Sequence, residues 1–282
     1  PYRVTDLTTI EHALANAIER GVDTLVLAGG DGTLQGAVSY LARHLPAERL
    51  PELLVLSAGR TNYVAADLGT RAHFLATLDR LLDPERTASR LERRTLVVRH
   101  PAIDLQHGFF LAGAMLDQVI RNVHRWRTER PGWRRNHHLA SAFGVVRQLP
   151  ALLTDRAPFT AHHLRLEAEA LGTLDAPMRF LMMTTLGLDD SHARPYAERG
   201  DGALRVTAIS AGAHRWRRRM ATIVRGRFSD DMTPATGYLS GHCHRLRIEG
   251  IDSIVLDGQE FDLDPARPLR VEPGPSLGFL RP

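Results

Sequence analysis

Apolar residues in the first hundred positions fall into two alternating textures. Thr24-Leu25-Val26-Leu27-Ala28 and Leu53 to Leu56 are short apolar runs of the kind that form buried parallel strands. Around them, apolar positions recur at helical spacing: Ile10, Leu14, Ala17 and Ile18, then Leu34, Ala37, Val38 and Leu41. Thr8-Thr9-Ile10-Glu11 predicts a capping box for the first helix, and Gly21 its stop. The second helix is predicted to end near His44, before Pro46. Val64, Ala65 and Leu68, closed by Gly69, predict a short helix, and Phe74, Leu75, Leu78, Leu81 and Leu82, stopped by Pro84, another. Helix and strand alternate, and each strand ends in a polar, glycine-bearing turn. This is the pattern of a parallel α/β domain, in which ligands sit beyond the carboxyl ends of the strands.

From about Thr95 the texture changes. Thr95 to Val98, Phe109 to Ala112, His162 to Glu167, Met178 to Thr185, Leu204 to Ile209, Arg245 to Ile248 and Ser253 to Asp257 read as strands without regular crossovers. That predicts an antiparallel β domain. Helical insertions are expected at roughly 116–153 and 213–225, and the charged segment Asp83 to Arg94 is the predicted boundary.

Composition adds bounds. With 282 residues, 43% hydrophobic and 24% charged, the chain is long enough for two modest cores. Cys243 is the only cysteine, which excludes an internal disulfide and makes a cytoplasmic setting the default. No signal peptide or membrane-length apolar run is present in the sequence. All 36 basic residues are arginine. Two clusters stand out: Arg121 to Arg135, with Trp126 and Trp133, and Arg215-Trp216-Arg217-Arg218-Arg219. Each is open to two readings, a solvated helix face or a peripheral contact with anionic lipid, with nucleic-acid phosphate a third. The histidine pairs lack zinc-site spacing.

The candidate chemistry starts at Gly29-Gly30-Asp31-Gly32-Thr33, between the first strand and the second helix. Glycines there let backbone approach a ligand closely, and the N–H groups of a helix start suit phosphate. Asp31 adds a carboxylate able to hold magnesium. The turn resembles the nucleotide-binding turn of the diacylglycerol kinase catalytic-domain superfamily, a turn shared with NAD kinases and 6-phosphofructokinases. Gly59-Arg60-Thr61-Asn62-Tyr63-Val64-Ala65-Ala66-Asp67-Leu68-Gly69 resembles the second motif of the lipid kinases in that superfamily. Gly108 to Ala114 is similar to their strand into the second domain, and Gly200-Asp201-Gly202-Ala203-Leu204-Arg205-Val206 to a later loop. Asp257-Gly258-Gln259 falls where the family usually carries Asp-Gly-Glu.

The resemblance implies an α/β + β fold. Residues 1–92 would be a phosphofructokinase-like nucleotide-binding domain, and residues 93–282 a β-sandwich-like lipid-substrate domain with helical insertions. The last residues of the second are candidates to return to the first. It implies ATP and Mg2+ as cofactors, with Gly29, Gly30, Gly32 and Thr33 cradling phosphates and Gly59, Thr61 and Asn62 lining the cleft. Asp31 would join the magnesium network, and Asp201 would sit in a metal-binding loop. The implied reaction is transfer of the γ-phosphoryl group to a diacylglycerol-like or sphingoid hydroxyl at a membrane surface.

The family's general base is the glutamate, here Gln259, and its usual acid after asparagine is Tyr63. Asp257 could substitute if the strand is regular, and Glu260 only if a bulge turns it to the same face. For Asn62 a helix cap, and for Asp201 and Asp257-Gly258 plain turns, are the alternatives without chemistry. A catalytically degenerate member that binds nucleotide or lipid as a sensor is the rival from another class. A soluble-substrate kinase of the NAD kinase type is a third reading.

Overall fold

The computed structural model describes residues 7–58, 63–68, 77, 79–80, 89–129, 159–187 and 194–281. The predicted helix Phe74–Leu82 lies mostly outside them, as do residues 130–158, which include Trp133, Arg134 and Arg135. The side chains of Thr8 and Trp126 are also outside the description.

Helix α1 (Leu7–Glu19), strand β1 (Thr24–Gly29), helix α2 (Asp31–His44), strand β2 (Glu52–Ser57) and helix α3 (Tyr63–Asp67) follow in order. β1 and β2 are parallel, with Gly29 opposite Ser57, so both polar turns leave from the same sheet edge. Leu34, Ala37, Val38 and Leu41 are buried as their spacing requires. They pack with Ile10 and Leu14 of α1 and with Leu53 and Val55 of β2. β1 is less buried than its composition predicts: Thr24, Val26 and Ala28 are exposed. The alternation marks one uncovered face, and among the described residues β1 pairs with β2 alone, which makes it an edge strand.

The remaining strands form, with these two, one mixed, curled sheet with few helices. β3 (Ser89–His100) pairs with β4 (Ile103–Gly108) and with the last strand, β13 (Leu269–Arg281). β13 also meets β2 in parallel at Phe279 opposite Leu53, which ties the end of the chain to the first strands. The charged stretch expected to be a boundary is in part a strand: residues 89–94 pair along β13 from Arg281 back to Ser276.

Beyond β13 come β10 (Leu246–Glu249), β6 (His163–Ala168) and β7 (Gly172–Thr184). The first half of β7 pairs with β6. After a bulge between Met178 and Phe180, its second half pairs with β5 (Phe110–Gly113) and β8 (Leu204–Ser210). A bulge sharpens local twist, and here it carries the sheet around on itself. β9 (Tyr238–Cys243) extends β8, while β11 (Ser253–Leu256) joins β5 to β12 (Gln259–Asp262). Helix α4 (Met115–Glu129) and helix α5 (Trp216–Ile223) fall inside the two predicted insertions.

Two polar features join these parts. Ser39 of α2 accepts a hydrogen bond from the backbone N–H of His107 at 2.8 Å and donates one to its carbonyl at 3.0 Å. Gln35 donates to Gln106 at 2.9 Å. Both α2 residues are buried, so the helix docks on β4 through polar groups that its apolar spacing does not announce. His107 is itself buried, which pushes its pKa down to about 4, so its ring is neutral at physiological pH.

Candidate functional site

The glycine turn is built by packing as well as by ligand demand. Gly30 caps α2 in an extended conformation without a side-chain cap. Its carbonyl accepts from the N–H groups of Thr33 (3.0 Å) and Leu34 (3.1 Å). The N–H groups of Asp31 and Gly32 are in the first helical turn, where no helical acceptor exists and an anion can dock. A Cβ on Gly29 would lie 2.7 Å from Cβ of Thr33, and one on Gly32 would lie 2.5 Å from Nε2 of Gln259. Both distances are shorter than real Cβ contacts: at position 29 the stiff Thr33 side chain stands in the way, whereas at position 32 it is the flexible end of Gln259, which would have to swing aside. The second turn is held against the first, since Ala58 N–H donates to the Gly29 carbonyl at 3.0 Å. Gly59, Thr61 and Asn62 lie outside the described residues.

Asp31 links the two motifs directly. Its Oδ1 accepts from the N–H of Val64 at 3.1 Å, which caps the short helix α3. That helix is fixed at its other end by Asp67, whose buried carboxylate accepts from Nε of Arg93 on β3 at 2.5 Å. Asp67 lies within the second motif without a role assigned to it from sequence, and Arg93 is not singled out there.

The β11–β12 hairpin reaches this turn from the other end of the chain. Asp257 and Gly258 form its two-residue loop, with φ of +47° and +84°, the backbone of a tight hairpin turn. Leu256 pairs with Gln259, so β12 starts at Gln259 and its side chain lies over Gly32. Asp257 is therefore not on the strand, and the regular-strand argument for its replacing the missing base does not apply. Its carboxylate points inward instead. Oδ2 accepts from Phe109 N–H at 2.8 Å and Oδ1 from Phe110 N–H at 2.9 Å. Burial, then the charge of Asp31, hold its pKa well above the usual carboxylate range, against the pull of those two N–H groups. Asp31, Asp257 and Gln259 thus meet at the glycine turn.

Glu260 and Asp201 do not join them. The β11–β12 register is regular, so Glu260 faces away from Gln259. Its carboxylate meets Nδ1 of His124 at 2.9 Å and Nη1 of Arg121 at 3.7 Å on α4. Asp201 sits between Gly200 (φ +76°) and Gly202 (φ +118°) in an exposed turn. Its Oδ2 lies 3.3 Å from Nε2 of His244. No cluster of three metal-ligating side chains occurs among the described residues. Trp216, in a cluster read as either a solvated helix face or a lipid contact, is buried under the guanidinium of Arg179, 4.2 Å from its ring centroid, and packs on Phe180.

The family model of the diacylglycerol kinase catalytic domain matches residues 2–92, the stretch that carries both turns. Residues 2–92 belong to the diacylglycerol kinase catalytic-domain superfamily. Over 60 residues the chain is 43% identical to the Stenotrophomonas maltophilia (strain K279a) protein named "Probable lipid kinase YegS-like". That match spans 21% of this chain and 19% of the relative, about a fifth of each. Two solved structures of candidate diacylglycerol kinases from Bacillus anthracis strain Sterne share the fold at a TM-score of 0.64. Their identities are 13% and 11%, and the alignments cover 99% of this chain and 83% and 84% of theirs. At that identity the likeness is one of fold, and it extends well past the diacylglycerol kinase domain. No helix among the described residues is long and apolar enough to cross a membrane.

The Asp31–Asp257 proximity predicts a pH effect. A carboxylate whose folded pKa lies above its unfolded value contributes stability that is fully present below the unfolded pKa. That contribution is lost as pH rises through the folded value. Asn at position 31 removes the charge yet still offers an oxygen to Val64 N–H. Thermal unfolding in the absence of nucleotide is therefore expected to fall less steeply from pH 5 to pH 8 in Asp31→Asn than in the parent. Equal slopes would mean that the two carboxylates do not interact.

Proposed function

We propose that the protein is an ATP- and magnesium-dependent lipid kinase that transfers the γ-phosphoryl group to the hydroxyl of a diacylglycerol-like or sphingoid lipid. The observation that carries this reading is the closure of the β11–β12 hairpin on the glycine turn. It sets an amide, Gln259, over the open N–H groups of α2, whose own first residue is the carboxylate Asp31. Nucleotide phosphates fit there: the helix start supplies N–H donors and the Gln259 amide a neutral one, while Asp31 offers magnesium a hard oxygen. Magnesium commonly binds through one or two carboxylates plus substrate phosphates, so a three-residue protein cage is not required. Asp257 is unsuited to that task because both its oxygens already accept backbone N–H groups. When bound, magnesium would neutralise phosphate charge; this chain's own residues hold the phosphates and orient the acceptor. An inner membrane surface would present the lipid, and the cytoplasm the nucleotide.

A second reading rests on one observation. The position facing Gly32 is an amide, and neither neighbouring carboxylate of the hairpin is placed to accept a proton in its stead. A protein that binds nucleotide or lipid without turnover satisfies the same geometry. The deciding experiment uses radiolabelled ATP, magnesium and a panel of diacylglycerol-like and sphingoid lipids in mixed micelles. The kinase reading expects transfer to at least one lipid, and about a tenfold or greater gain in Gln259→Glu if proton acceptance limits the rate. ATP binding without transfer to any lipid, with transfer appearing only in Gln259→Glu, would establish the second reading.

A further inference from the structure

Away from the glycine turn, the cross-strand register aligns three arginines in one row. Arg99 of β3 pairs opposite Arg270 of β13, and Arg270 opposite Arg247 of β10. Neighbouring strands are about 4.8 Å apart, so like charges directly opposite repel and cost stability. The outer two are compensated. Arg99 meets Glu272 at 3.1 Å, and Arg247 meets Glu167 at 3.4 Å and Glu249 at 2.5 Å. Arg270, the middle one, is exposed and has no carboxylate partner among the described residues. Arg245, exposed and likewise without an ion pair among the described residues, faces the same hollow.

The hollow is open, about 730 Å³, and the start of β7 at Gly172 and Thr173 forms part of its wall. Its rim holds four arginines and three carboxylates, Glu167, Glu169 and Glu272. Glu272 and Glu167 are already matched to Arg99, Arg165 and Arg247, which leaves Glu169 at the edge and surplus positive charge at Arg270 and Arg245. Guanidinium groups present flat, forked donors that match a phosphoryl group in two contacts each.

We propose that this hollow is a second anion site, one that binds a phosphoryl group through Arg270 and Arg245, with Arg99 and Arg247 flanking. It is separate from the glycine turn, and its occupancy relieves the repulsion in the arginine row. The phosphoryl group can belong to a free phosphate or to a phospholipid headgroup, and the two sources are separable by experiment. It stands whether or not the kinase reading holds.

The test titrates inorganic phosphate and pyrophosphate into the whole chain at low ionic strength, by calorimetry, beside sedimentation with vesicles of phosphatidylcholine with and without phosphatidic acid. Arg245→Gln/Arg270→Gln is expected to remove one phosphate-binding event, or to weaken vesicle binding at least tenfold, with ATP binding at the glycine turn unchanged. Loss in the phosphate arm identifies a soluble ligand; loss in the vesicle arm alone identifies a headgroup. Arg270→Lys, which keeps the charge and loses the fork, should weaken binding by a smaller factor. In phosphate-free buffer Arg270→Gln should melt above the parent, because the row loses its central charge. No binding by the parent in either arm, or equal binding by the double variant, would overturn the proposal.

Discussion

On the proposed kinase reading, replacing Asp31 with alanine is expected to reduce ATP-dependent phosphoryl transfer by about 10²–10³-fold, the scale of losing one preorganised electrostatic contact. The residue has two separable jobs. Its Oδ1 caps α3 through Val64 N–H, and its charge faces both the helix start and Asp257. Alanine removes both. Asparagine keeps the cap and removes the charge, so on the kinase reading Asp31→Asn should melt close to the parent yet transfer as poorly as Asp31→Ala. Transfer rates from the radiolabel assay and melting temperatures from calorimetry separate the two jobs. Full activity in the asparagine variant would remove Asp31 from the chemistry and leave it a helix cap.

Much of this arrangement is legible in the sequence because its determinants are local. The apolar stripe of α2, the short strands β1 and β2, and Asp257-Gly258 as a hairpin loop each follow from a few neighbouring residues. What local pattern hides is pairing over distance. β13 contains Pro273, Gly274, Pro275 and Gly278, which read as breakers, yet it is the strand that ties β10, β3 and β2 together. Its register shift between Pro273 and Ser276 absorbs residues that a regular ladder would reject. Ser89 to Arg94 reads as a charged linker because arginine and glutamate dominate it, although the partner strand, not its composition, makes it β. β12 is too short and polar, as Gln259-Glu260-Phe261-Asp262, to announce itself.

The same distinction governs the site. The glycines were legible as a turn between strand and helix, but the closeness of Thr33 and Gln259 to them was not, since the latter depends on a hairpin from the far end of the chain. The roles considered for Asp257 and Glu260 assumed a continuous strand. A turn of two positive-φ residues places Asp257 inside and sends Glu260 to α4. One missed signal was available. Asp117 and Arg121 are four residues apart in a predicted helix, the spacing at which an acid meets a basic partner.

That partner carries the second large effect. Arg121 binds Asp117 at 3.0 Å and Asp262 at 2.8 Å, and donates to the carbonyls of Phe261 at 2.8 Å and Ile254 at 3.3 Å. Asp117 is 1% exposed, takes a further bond from Ser253 at 2.7 Å, and has its pKa raised chiefly by burial. Arg121→Leu would leave that acid buried without its counter-charge, a change that typically costs about 3–5 kcal/mol. A value near 3 is expected from urea unfolding, since Arg121 is itself partly exposed. Adding Asp117→Asn should recover part of the loss, because no charge is then left uncompensated while Ser253 keeps an acceptor. A loss below about 0.5 kcal/mol, the level of an ordinary surface change, would mean the clamp is idle. The consequence reaches the glycine turn, because Arg121 grips the two strands whose loop sets Gln259 over Gly32. On the proposed kinase reading Arg121→Leu should therefore weaken ATP binding in the protein that remains folded, while Arg225→Leu, on an exposed arginine of no such network, should not.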